Sequence, residues 1–109
     1  MSDTVPGQKT KLLCGPGGEP RGHIVFCPGC KSGHLFTTEP FLRDGKPGPV
    51  WSFNGDVMRP TFAPSMLVNA SRPESRCHSF VRDGQIQFLS DCWHGLKGQT
   101  VPLPDVSEW

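Results

Sequence analysis

The residues best suited to chemistry in this chain are cysteines and histidines, and their spacing points to a metal. Cys27-Pro28-Gly29-Cys30 holds two thiols across a short turn. A Cys-x2-Cys turn aims two thiolates at one ion and leaves backbone amides free to stabilise the sulfurs. A glycine inside the turn supplies the positive φ that such a knuckle often uses. The competing reading, a thioredoxin-type redox pair, requires a helix after the motif within a βαβ unit. The Gly/Pro-rich sequence around Cys30 offers none. Cys14 lies beside Gly15, Pro16, Gly17 and Gly18, which fix no geometry for it, and it reads as a free thiol.

One knuckle supplies two ligands, whereas a closed tetrahedral site needs four. The other two must come from Cys77-His78 and Cys92-Trp93-His94. Between these segments, Asp83-Gly84 marks a two-residue hairpin turn. That turn sets Arg82 opposite Gln85, Val81 opposite Ile86 and Ser79 opposite Phe88. Cys77 then faces Ser90, with Cys92 its diagonal neighbour on the same side of the sheet. The face carrying Cys77, Ser79, Val81, Ile86, Phe88, Ser90 and Cys92 is the apolar one. The expected ligands of a Zn2+ ion are therefore Cys27, Cys30, Cys77 and Cys92. A kink at either strand end would swing His78 or His94 in instead. His34, four residues after Cys30, and Asp91 are further alternatives as ligands or as donors around the site.

The elements that must position these groups are short. The chain has 109 residues, which suits one domain, and only 35% of them are hydrophobic, with 13 Gly and 12 Pro. This composition predicts an all-β fold: a small antiparallel sheet and hairpin domain with long Gly/Pro-rich loops, stapled by zinc because its core is small. Residues 1–22 read as a flexible N-terminal arm, and residues 23–109 as the single zinc-binding domain. Strands are expected at His23–Phe26, His34–Thr38, Val50–Phe53 and Met66–Val68, with the clearest hairpin between Arg76 and Ser90. Asp44-Gly45 and Asn54-Gly55 are turn signals. Pro60-Thr-Phe-Ala-Pro-Ser65 cannot donate a full ladder of hydrogen bonds and reads as an ordered loop or a sheet edge.

Net charge is +1, and no basic run invites nucleic acid or an anionic membrane surface. No stretch approaches the ~18 apolar residues of a membrane span. The first residues lack the apolar core of a signal peptide. A bacterial cytoplasmic location is expected, where cysteines serve as metal ligands or free thiols and not as disulfides.

Several segments together resemble a known family. These are Cys27-Pro-Gly-Cys30 with His34, Trp51-Ser-Phe-Asn-Gly-Asp56, Arg59-Pro-Thr-Phe-Ala-Pro-Ser65, Cys77-His-Ser-Phe80 and Asp91-Cys-Trp-His94 running on to Val101. They are similar to small Cys/His proteins of bacteriophages and prophages. They are more distantly similar to proteins encoded beside bacterial ubiquitin-like conjugation genes. The resemblance spans residues 23 to about 104 and implies a cytoplasmic protein with a Cys/His zinc site. Members often carry Gly at the position of Lys31. In the branch linked to ubiquitin-like conjugation a histidine matches His78, so the resemblance favours His78 over Cys92 as a ligand, against the hairpin argument.

Two functions compete. No zinc-enzyme signature such as His-Glu-x-x-His is present, nor the His-x-Glu with Pro-Cys-x-x-Cys of nucleobase deaminases. Trp51, Trp93, Trp109, Phe36, Phe41 and Phe62 offer anchors for a protein partner. The favoured expectation is a non-enzymatic zinc-binding accessory protein that acts through protein contact. The alternative is a small zinc-dependent hydrolase that uses the surplus His34, His78, Asp91 and His94 near the metal.

Overall fold

Period-two burial builds the first sheet. In the computed structural model, which describes residues 6–109, β2 (Pro20–Cys27) buries His23, Val25 and Cys27 and leaves the intervening residues partly exposed. It pairs antiparallel with β3 (Ser32–Thr37), whose His34 and Phe36 face the same interior. The knuckle between these strands is thus a hairpin turn, with Cys27 opposite Ser32.

Within the segment expected to be a flexible arm, two stretches are strand: Lys11–Cys14 and the start of β2 from Pro20. β1 (Lys11–Cys14) adds to the other edge of β2, with Leu12 opposite His23 and Leu13 opposite Gly22. Lys11, Leu12 and Cys14 are exposed, so β1 has no apolar alternation to announce it. Backbone pairing holds it. Gly22 permits the close approach of strands there, because a Cβ at that position would collide with the backbone of Phe36. Residues 1–5 of the expected arm lie outside the described residues.

A small hairpin follows, β4 (Leu42–Arg43) with β5 (Lys46–Pro47). The second large sheet contains β6 (Ser52–Phe53), β7 (Phe62–Val68), β8 (Cys77–Arg82), β9 (Gln85–Phe88) and β10 (Thr100–Pro102), in spatial order β10-β9-β8-β7-β6. The β8–β9 hairpin has the expected register, Val81 opposite Ile86 and Ser79 opposite Phe88. Asp83 (φ 51°) and Gly84 (φ 78°) both take the left-handed conformation, as do Asp44 and Gly45 in the smaller hairpin. Two residues of positive φ match the right-handed twist of the flanking strands. Asn54-Gly55, in contrast, does not close a tight hairpin. The connection from β6 to β7 runs from residue 54 to 61, and the Asn54 side chain ties it by accepting from Asp56 N and Thr61 N.

The two large sheets share one core. Val25, Cys27 and Phe36 meet Phe62, Met66, Cys77, Val81, Ile86 and Phe88, and the Phe36 and Phe62 rings stack at 4.4 Å. The fold of the described residues is all-β apart from a short 3-10 helix at Val106–Glu108. Among the described residues, no helix is long and apolar enough to cross a membrane.

A candidate catalytic triad beside a Cys/His cluster

The knuckle, one strand of the central hairpin and the turn after it converge on a single point. Cys27, Cys30, Cys77 and His94 each offer one donor atom within 4.8 Å of the others, a group that could hold a metal ion. Cys27 Sγ lies 3.9 Å from Cys77 Sγ, and Cys77 Sγ lies 3.5 Å from His94 Nε2. Cys30 N–H donates to Cys27 Sγ at 3.3 Å, the amide–sulfur contact expected of a knuckle. Gly29 matters for space, because a Cβ there would collide with the His94 ring. The left-handed residue of this turn is Lys31 (φ 57°), a conformation that favours glycine.

The thiols influence one another strongly. The Cys77 S–H beside Cys27 holds the Cys27 thiol far below its ordinary range, against the opposing effect of burial, and His34 acts in the same direction. That contact, together with burial, pushes the Cys77 thiol up, and burial also raises Cys30. A bound cation would favour thiolates at all three. His34 is buried beside them, and its Nε2 has no hydrogen-bond partner among the described residues.

Cys92 takes a different place from the one the hairpin register suggested. It lies on the buried face, as expected, but its Sγ contacts the backbone of His78, and His94 completes the cluster. The reason lies past β9. Cys92 N–H donates to Leu89 O and Trp93 N–H to Arg76 O, so the chain turns back over β8 and carries His94 inward. Cys14 is exposed and lies apart from the cluster.

His78 and Asp91 belong to a second constellation, on the outer face of the same sheet. Along β7, Phe62 faces Val81 and Met66 faces Ser79, so four steps on β7 match two on β8. This bulge spans Ala63, Pro64 and Ser65, and the Ala63–Pro64 peptide is cis. Bulges re-aim side chains and are common beside active sites. Leu67 lies opposite His78, which puts Ser65 diagonally across from the imidazole. Ser65 Oγ is 3.1 Å from His78 Nε2, and His78 Nδ1 is 3.3 Å from Asp91 Oδ2. The His78 side chain is 25% exposed and that of Asp91 40%, so the row opens to solvent.

These contacts have a defined chemical sense. A carboxylate at Nδ1 keeps the proton there, which leaves Nε2 as the acceptor for the Ser65 hydroxyl. Serine, histidine and aspartate in this order form a nucleophile, a base and the group that orients the base. The sequence offers His78 and Asp91 as alternative metal ligands or donors, or as groups of a zinc-dependent hydrolase, and gives Ser65 no role. Ser65 stands in no Gly-x-Ser-x-Gly elbow. Its sequence signals are its place at the end of the Arg59–Ser65 motif and the shared separation of 13 positions, from Ser65 to His78 and from His78 to Asp91.

Fold and site together define a small all-β protein with a Ser-His-Asp row on one face of a sheet and a Cys/His cluster behind it. Residues 1–89 match the family described as "Bacterial ubiquitination-like system serine protease (BubE)", and the chain belongs to that family. The match includes Ser65, His78, Cys27, Cys30 and Cys77 and ends before Asp91 and His94. No curated protein and no solved structure matches the chain.

Proposed function

We propose that this chain is a serine protease of a bacterial ubiquitination-like system, with Ser65 as nucleophile, His78 as general base and acid, and Asp91 as the group that orients His78. The carrying observation is the continuous row Ser65 Oγ–His78 Nε2 and His78 Nδ1–Asp91 Oδ2, at 3.1 and 3.3 Å. The family description supports the same chemistry and suggests that the substrate is a polypeptide of such a system.

The steps follow from that geometry. Ser65 Oγ attacks the carbonyl carbon of a peptide or isopeptide bond as its proton passes to His78 Nε2. His78 returns that proton to the departing amine, leaving an acyl group on Ser65. Water then enters, His78 takes a proton from it, and the acyl group leaves as a carboxylic acid while Ser65 is restored. Asp91 stays ionised throughout and stabilises the transient imidazolium.

Cys27, Cys30, Cys77 and His94 would hold zinc as a structural ion. For a tetrahedral zinc with Zn–S of about 2.3 Å and Zn–N of about 2.0–2.1 Å, neighbouring donors stand about 3.5–3.8 Å apart. The observed 3.9 Å and 3.5 Å fit that spacing. Four protein ligands leave no position for water, so hydrolysis falls to the triad and not to the metal. The protein contact expected from the sequence then becomes the meeting with a substrate protein in the bacterial cytoplasm.

Labelling the zinc-loaded chain with a small fluorophosphonate tests this reading. One adduct should form on Ser65, and none in Ser65→Ala. Labelling elsewhere, or its absence from the folded chain, would remove the hydrolytic reading.

A further inference from the structure

The backbone beside Ser65 has one unsatisfied pair. His78 uses both of its backbone groups toward β9 and the turn beyond it: its N–H donates to Cys92 Sγ and its C=O accepts from Leu89 N. In an antiparallel ladder, a residue bonded to one neighbour strand forms the non-hydrogen-bonded pair with the other. Leu67, opposite His78, therefore aims its own N–H and C=O away from β8.

Nothing among the described residues meets them. β6 covers β7 only at Phe62 and Ala63, and the Trp51 indole donates to Ser65 O at 3.3 Å. Past that indole, the β7 edge is open. A cavity of about 360 Å³ lies near its far end, lined by Val68 of β7, by Asn69, Glu74 and Ser75 of the loop that follows, by Ser32, Gly33 and His34 of β3, and by Cys30 and Trp93. β3, which supplies three of its lining residues, is itself the edge of its sheet.

Resting on the hydrolytic reading above, we propose that the substrate is an extended polypeptide segment whose acyl half adds to the β7 edge as a strand, exchanging hydrogen bonds with Leu67 N–H and C=O and continuing toward that cavity. An unpaired strand edge is a template for such addition, and main-chain bonds supply affinity without demanding a particular side chain. Leu67 lies two residues from Ser65, roughly 7 Å along a strand. A substrate residue bonded at Leu67 would thus stand about two positions from the scissile bond. Pairing of the acyl half persists after the amine has left, so the acyl group stays aligned while water attacks. A helical or folded segment cannot present its backbone this way, which limits substrates to tails and extended linkers.

The test uses covalent probes on the full zinc-loaded chain. A triglycyl diphenyl phosphonate places a bare acyl-side backbone on Ser65, and ethyl fluorophosphonate places none. Tethering raises the effective concentration of the peptide at the edge into the millimolar range (roughly). Hydrogen exchange of the Leu67 amide is then followed by NMR in both adducts. At least a tenfold slowing with the triglycyl probe alone is expected, and N-methylation of the glycine that faces Leu67 should abolish part of it. Equal Leu67 exchange in the two adducts would overturn the strand proposal while leaving Ser65 as nucleophile. Failure of both probes to label would remove the hydrolytic reading and this inference with it.

Discussion

Cys92 Sγ stands 3.2 Å from the backbone nitrogen of His78 and 3.1 Å from its carbonyl oxygen, so one buried thiol spans both main-chain groups of the proposed catalytic base. Cys92 directly follows Asp91, and Cys77 directly precedes His78. The two side chains that must meet on the outer face are therefore each anchored by a cysteine on the inner face. For Cys77 and His78 on β8, strand alternation makes this possible, since successive residues point to opposite sides of the sheet. Asp91 and Cys92 are set by the turn after β9.

Replacing Cys92 separates its role from metal binding. Cys92→Ala removes the acceptor for a partly buried N–H, which costs about 1–3 kcal/mol. The variant should lose fluorophosphonate reactivity with that stability but keep one zinc per chain. Cys92→Ser, which preserves a donor and acceptor, should recover most of the labelling rate. Loss of zinc from Cys92→Ala would instead make Cys92 a ligand.

The cluster itself predicts the opposite pattern. Single alanine substitutions at Cys27, Cys30, Cys77 or His94 should each release zinc, as read by metal analysis, whereas Cys14→Ala should retain it. Structural zinc contributes an apparent ~10–16 kcal/mol, comparable to the whole stability of a small domain. Chelation should therefore unfold the chain, visible as loss of the native tryptophan fluorescence.

Asp91 acts through His78. Asp91→Asn keeps the shape but lets Nδ1 become an acceptor, which favours the wrong tautomer. Labelling of Ser65 should slow by up to roughly 10⁴-fold, with stability changed by less than about 1 kcal/mol because the pair is exposed. A loss of stability much larger than this, with labelling intact, would make the His78–Asp91 contact structural only.

His23 gives the fold an acid-sensitive element. It packs against Phe53 and Phe62, and burial lowers its pKa from 6.5. The unfolded chain then takes up a proton at a higher pH than the folded chain does. This contribution to stability is complete above pH 6.5 and is lost as pH falls below it toward the folded value. Urea midpoints of the wild type and His23→Phe should accordingly converge, or the variant should overtake, between about pH 7 and pH 5. A difference that is constant over this range would exclude His23 as the source.

Much of this architecture was legible in the residues themselves. Asp83-Gly84 determines its hairpin register because only a two-residue turn of positive φ suits that pair, and alternation then assigns Cys77, Val81, Ile86 and Phe88 to the interior. The Cys27/Cys30 knuckle was readable for a similar reason: its geometry is local. β1 escaped notice because an exposed edge strand is held by backbone bonds that carry no apolar pattern.

The site depended on contacts that local pattern does not encode. His94 replaces Cys92 in the cluster because the turn after β9 folds back against Arg76, a pairing across 17 positions that no strand periodicity contains. Ser65 reaches His78 only because a bulge shifts β7 against β8, and Asp91 reaches it only through the same returning turn. Sequence therefore determined which residues share a face within one hairpin, where spacing and turn chemistry act over a few bonds. Tertiary structure decided which serine, histidine and aspartate form a row, because that choice depends on register between strands joined by loops whose length alone does not define it.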